Sequence, residues 1–185
     1  EQNRVGQMTT VHPHFADGAA YNVVTRYNAI SQYRLYKMAG RGSPQRVGQM
    51  SVRQPSYMHS FGMSPNYAIL AEFPLVVNPI SLLLWLRPYI ENFQWKPQRG
   101  TPFHIMNRHT GEMVGRIDSD PFFAFHHVNA FEQGNELVVD IVAYPDDGVI
   151  NSFYLHRLAD PQSVIPFGEL RRYRLPLNGR RAYAT

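Results

Sequence analysis

Seven short apolar stretches, each closed off by a turn, constrain this chain more than any other feature. "YNVVTRY", "SQYRLYKM", "RVGQMSV", "NYAILAEF", "ELVVDIVAY", "INSFYLHRL" and "ELRRYRLPL" are rich in β-branched and aromatic residues, the types that suit a pleated, half-buried surface. Along "SQYRLYKM", Tyr33, Leu35 and Lys37 fall on one strand face while Arg34, Tyr36 and Met38 fall on the other. Asp17-Gly18, Gly40 to Pro44, Thr110-Gly111, Gly134-Asn135 and Asp146-Asp147-Gly148 supply turns between the stretches. The pattern is all-β, with strands spaced as in a sandwich, barrel or propeller.

One segment departs from it. In "NPISLLLWLRPYIENFQW", Asn78 offers a helix N-cap and Pro79 suits the first helical position. An apolar run from Ile80 to Leu86 follows, and Pro88 should end the helix. The run is too short to span a bilayer, which takes roughly 18 residues or more. It can either dip into a membrane surface or lie buried under the domain.

Composition narrows the chemistry. The chain has 185 residues, room for one domain, and its 44% hydrophobic content supports a packed core. There is no cysteine, so disulfides and thiolate ligands are excluded, which is compatible with a reducing compartment; the expected location is cytoplasmic, with peripheral membrane association. The net charge of +4 is spread along the chain. Its densest cluster, "GELRRYRLPLNGRR", comes without a recognition motif, so nucleic acid is not an expected partner. No signal peptide is visible. The first residue is Glu1 rather than Met, as expected of a processed end or of a piece of a longer protein.

The eight histidines are His12, His14, His59, His104, His109, His126, His127 and His156. Three share a setting: His12 in "MTTVHPHF", His59 in "SYMHSFGM" and His126 in "FFAFHHVNAFE" are flanked by apolar or aromatic residues. His59 follows His12 by 47 residues, close to the roughly 40–45 residues of a four-stranded propeller blade. His126 follows His59 by 67 residues, and the irregular segment that starts at Asn78 accounts for the excess. One histidine per blade would converge on a propeller axis, and neutral imidazoles there are good ligands for Fe, Zn, Cu or Ni.

"TTVHPHF", "PSYMHSFGMSPNY" and "FAFHHVNAFEQGNELVVD", in this order and spacing, resemble the carotenoid cleavage oxygenase family, and "FGELRRYRLPL" resembles a further strand of it. Within it, the motifs resemble the branch holding the β-carotene oxygenases, the retinoid isomerase and the bacterial apocarotenoid oxygenases. The resemblance covers nearly the whole chain. It implies a seven-bladed β-propeller with a helical, membrane-facing insertion, here 78–96, and one Fe(II) per chain held by four histidines. His12, His59 and His126 match three of these ligands; the fourth, and the family's supporting glutamates, have no counterpart within residues 1–185. His14 and His127 match no ligand position, and Glu132 is the nearest carboxylate to a ligand motif. Residues 1–185 are therefore expected to form part of a propeller domain, since seven blades of about 40 residues need a longer chain.

The chemistry the resemblance implies is dioxygenase cleavage of an alkene bond in an apolar carotenoid or apocarotenoid by O2, giving aldehyde or ketone products. Tyr57, Phe61, Phe122, Phe123, Phe125 and Phe131 are candidates to line a substrate tunnel or pack the core. Ile80, Leu82, Leu83, Leu84, Trp85 and Leu86 are candidates for peripheral membrane contact, with Arg87, Lys96 and Arg99 available to meet anionic headgroups. Two alternatives stay within reach of these residues: cleavage of a phenolic, stilbene-type alkene, and non-catalytic binding of carotenoid or lipid. A three-histidine zinc hydrolase is a third, because three imidazoles and a water suit zinc.

Overall fold

A computed structural model describes residues 7–83 and 87–185. The chain starts with β1 (Gln7–Thr9), β2 (His14–Ala16), β3 (Ala19–Arg26), β4 (Ser31–Ala39) and β5 (Gln45–Val52). These make one antiparallel sheet in the order β1–β3–β4–β5, with β2 also paired to β3. Next come β6 (Gly62–Met63), β7 (Tyr67–Ala71), β8 (Leu75–Val77), α1 (Pro79–Leu83), β9 (Phe93–Trp95), β10 (Phe103–Asn107) and β11 (Met113–Ile117). The second sheet runs β11–β10–β7–β6, and β8 pairs with β9 as a separate ribbon. The third sheet is built from β12 (Phe123–Gln133), β13 (Glu136–Tyr144), β14 (Glu169–Pro176) and β15 (Tyr183–Ala184), in that order, with α2 (Gly148–Ser152) and α3 (Leu155–Leu158) between β13 and β14.

Strand alternation decides how the sheets stack. Ala68 and Leu70 of β7 join Tyr21, Val23, Tyr33 and Leu35 of the first sheet in one core cluster. Their neighbours Ile69 and Ala71 join Leu137, Val139 and Ile141 of the third sheet in the other. The middle sheet is thus buried on both faces, which explains why "YAILA" is apolar without a break. The first and second sheets meet closely at Gly48 of β5 and Gly111 in the β10–β11 turn. A Cβ on Gly48 would stand 2.5 Å from the Gly111 carbonyl oxygen, and one on Gly111 would stand 2.0 Å from that of Val47.

Two expectations need correction. "INSFYLHRL" is not a strand: it forms α2 and α3. Its apolar side chains lack the inward alternation of a sheet strand, with Leu155 84% and Leu158 51% exposed, so nothing holds them in an extended ladder. The 78–96 segment is only partly helical. Asn78 caps as expected, accepting the Ile80 N–H at 3.1 Å, and Pro79 opens α1. Beyond Pro88, however, a single 3-10 turn (Tyr89–Asn92) leads into β9, whose pairing with β8 claims Phe93–Trp95 for a strand. Residues 84–86, including Leu84, Trp85 and Leu86, lie outside the described residues.

Candidate metal centre

The His59 segment, Pro55 to Phe61, has little regular structure of its own and is held by bonds from its surroundings. The Ser56 N–H donates to the Tyr33 hydroxyl (2.6 Å), Tyr57 N–H to the Leu75 carbonyl (2.9 Å) and Val77 N–H to the Pro55 carbonyl (3.0 Å). His12 lies in the link between β1 and β2, and that link is tied down on both sides. Thr10 exchanges hydrogen bonds with Asn22 and donates its N–H to the Val23 carbonyl, while the Val11 N–H donates to the His59 carbonyl at 2.8 Å.

His126 is delivered by an irregularity. Ala124 pairs with Ala143 and His127 with Ile141, so Phe125 and His126 together oppose one residue of β13. This is a β-bulge, and bulges re-aim side chains. Its effect is that two consecutive residues reach the same ring: Phe125 lies 5.4 Å and His126 5.1 Å from the His59 ring centre. Regular alternation would have sent one of them to the opposite face.

The three rings form a near-equilateral triangle, with centres 5.1, 5.0 and 5.1 Å apart for His12–His59, His12–His126 and His59–His126. Each contributes a ring nitrogen within 4.8 Å of the others. Burial, reinforced by His126 and His12, pulls the His59 pKa below the ordinary histidine value, and burial together with His12 lowers that of His126. Both are therefore neutral at pH 7, the form that binds metal. A set of three imidazole nitrogen donors without thiolate or carboxylate suits Fe(II), Zn or Cu.

The other histidines are engaged elsewhere. His14 Nε2 lies 2.8 Å from the Phe61 carbonyl oxygen. His104 is buried in the middle sheet with Nε2 2.7 Å from Glu72 Oε2, and Arg99 reaches the other oxygen of Glu72 at 3.3 Å. His109 bonds the Pro65 carbonyl oxygen, and His156 sits exposed on α3 beside Tyr154. Glu132 accepts bonds from Ser64 Oγ, Asn66 N and Asn66 Nδ2, so it fastens the turn before β7.

His59 borders a cavity of about 350 Å³ lined largely by apolar and aromatic side chains, among them Val11, Tyr57, Met58, Ile90, Phe125 and Phe153. Of the proposed tunnel residues, Tyr57 and Phe125 line it. Phe61 is wholly buried against His14, Phe122 and Phe123 belong to the core, and Phe131 lies under the Arg172 guanidinium. The sequence reading missed Tyr27 and Tyr89, which also line the cavity with hydroxyls 2.7 Å apart. They come from the end of β3 and from the 78–96 segment, so no local pattern links them. Among the insertion residues, Leu82 packs on the core and Ile80 is 59% exposed; Leu83 closes α1.

The model for the family described as retinal pigment epithelial membrane protein matches residues 2–185. The chain belongs to the carotenoid oxygenase family. It is 31% identical over 171 residues to a mitochondrial carotenoid-cleaving dioxygenase of Macaca fascicularis, covering 80% of this chain and 30% of that protein. It is 35% identical over 151 residues to a chloroplastic carotenoid cleavage dioxygenase 8 homolog of Oryza sativa, covering 76% and 27%. The chain thus spans less than a third of the length of these relatives. Among solved structures, cobalt-substituted Synechocystis ACO matches with a TM-score of 0.78 at 23% identity, covering 97% of this chain and 39% of that one. An ACO/RPE65 chimera matches with the same TM-score, identity and coverage. These family structures are propellers, and the three stacked antiparallel sheets belong to that fold. Among the described residues, no helix is long and apolar enough to cross a membrane.

Proposed function

We propose that this chain carries three of four ligands for an Fe(II) ion in a dioxygenase that cleaves an alkene bond of a carotenoid or apocarotenoid. One observation carries the reading: His12, His59 and His126 converge beside an aromatic cavity, in a chain of the carotenoid oxygenase family. The family relation favours iron over the zinc and copper that three imidazoles also suit. Iron, when bound, supplies the O2 chemistry. The chain's own residues hold the ion and position the substrate. Tyr57 and Phe125, each in contact with the His59 ring, would hold an apolar polyene beside the metal and keep water from its reacting bond. No acid–base pair is needed for this.

We further read the chain as part of a seven-bladed propeller domain, with the fourth histidine elsewhere in a longer protein. Ile80, exposed on α1, supports peripheral membrane contact at the mouth of an apolar substrate path. Ile80→Asp in the full-length protein is expected to reduce flotation with anionic liposomes; unchanged flotation counts against membrane contact. The Tyr27–Tyr89 hydroxyl pair favours a second substrate class, a phenolic stilbene-type alkene, because it places hydroxyls in an otherwise apolar cavity.

The direct test is metal analysis by mass spectrometry on the full-length protein, together with O2 uptake on a β-apo-carotenal and on a hydroxylated stilbene. Iron near one per chain with aldehyde products from the apocarotenal supports the leading reading. Zinc, or no metal and no O2 uptake, overturns it.

A further inference from the structure

The three edges of the histidine triangle are not secured alike. The His12–His59 edge has a backbone bond, Val11 N–H to the His59 carbonyl, backed by His14 on the Phe61 carbonyl. Among the described residues, no backbone–backbone hydrogen bond joins Pro55–Phe61 to β12, although these two pieces carry His59 and His126. Beside the ring contacts of Tyr57 and His59 with Phe125, the hydrogen bonds that join them among the described residues all run through one side chain. The Ser60 hydroxyl donates to the Phe125 carbonyl at 2.6 Å and accepts the His127 backbone N–H at 2.9 Å. Its oxygen also lies 2.8 Å from His127 Nδ1. With the hydroxyl proton committed to Phe125, Nδ1 must be the donor in that last contact. One donor and two acceptor sites are then all in use. Ser60 is 2% exposed, so water has little access with which to replace them.

These bonds fall on either side of His126, on Phe125 of the bulge and on His127, where pairing with β13 resumes. We propose that Ser60 is the positioning residue of the centre, whose hydroxyl fixes the His59–His126 edge by clamping the bulge of β12 to the His59 segment. The inference rests on the metal-centre reading above. Two consequences follow from the geometry. Alanine at this position leaves the Phe125 carbonyl and both His127 donors unpartnered in a buried place, so the bulge relaxes and His126 loses its setting. The clamp also fixes His127 as the Nδ1–H tautomer, which fits its Nε2 being buried without a partner.

The test uses the full-length protein in three forms: wild type, Ser60→Ala and Ser119→Ala. Ser119 is a fit control because its buried hydroxyl donates to the Thr101 carbonyl at 2.7 Å, outside the metal centre. Co(II) serves as the probe, read by its ligand-field absorption and by competition with a chelator. Ser60→Ala is expected to weaken Co(II) binding about 10- to 100-fold, the range for lost supporting partners of metal ligands, and to shift the absorption bands. Ser119→Ala should lower thermal stability and leave both readouts unchanged. In the metal-free wild type, nitrogen NMR of His127 should show the Nδ1–H tautomer, and Ser60→Ala should release it. Wild-type Co(II) affinity and spectrum in Ser60→Ala overturn the proposal, as does an equal loss in Ser119→Ala. An Nε2–H tautomer at His127 also overturns it. A wild type that takes up no metal removes the centre and the proposal together; the tautomer, measured without metal, shows separately whether the clamp exists.

Discussion

The segment from Pro55 to Phe61 and the stretch from Phe153 to Phe167 are both short, irregular in places and rich in apolar residues, yet their fates are opposite. Phe61 is fully buried, with His14 on its ring and on its carbonyl, while Phe167 is 94% exposed and Leu155 and Val164 are each 84% exposed. Apolar content does not separate them. What separates them is partnership: the first segment is gripped by β4, β8, the β1–β2 link and β12, whereas the second connects the ends of β13 and β14 and, beyond Phe153, is largely exposed. A histidine on the gripped segment becomes a fixed donor. His156 on the exposed one does not.

The largest expected break in this contrast is thermodynamic. In chemical denaturation of the full-length protein, Phe61→Ala should cost about 3–5 kcal/mol, the range for emptying a filled aromatic site. A cost under about 1 kcal/mol would mean the segment is not anchored as described. Next is the metal. His59→Ala should reduce iron affinity by more than about 100-fold, beyond the loss caused by removing a supporting partner, with iron content per chain as the readout. Unchanged iron content would remove His59 from the site.

Acid titration probes the gripped region without mutation. Burial holds the His127 pKa down to about 3, so between the ordinary histidine pKa and that value the unfolded chain binds a proton that the folded one refuses. Stability should therefore fall as pH drops below about 6.5, with this residue contributing up to about 1.4 kcal/mol per pH unit. Denaturant midpoints measured from pH 7 to 5 should show a shallower fall in His127→Asn than in the wild type, and parallel curves would place His127 in water. The smallest effect belongs to the exposed stretch: Phe167→Ala should change stability by no more than about 0.5 kcal/mol. A larger loss would show that the remainder of the protein packs on it.

The Asn78 cap with Pro79, and most of the strands, could be read from sequence because each rests on local chemistry: alternation, turn glycines and a capping side chain. The same reading failed at "INSFYLHRL", where aromatic and β-branched residues look like a strand but no neighbouring strand is there to pair with them. Tyr27 and Tyr89 were invisible because the cavity wall they share joins residues 62 positions apart. Ser60 was passed over for the same reason, since its partners lie 65 and 67 residues away.

The sequence by itself determined a mostly-β chain, three histidines in like apolar settings, and the absence of cysteine from these 185 residues, because strand period and residue type are properties of the chain as written. The family resemblance had already singled out His12, His59 and His126; only the tertiary structure decided how closely their rings meet, that a bulge turns both Phe125 and His126 toward His59, and that His104 is spent on Glu72. Those outcomes depend on the distances between separate segments, and such distances are set by how the sheets stack on one another.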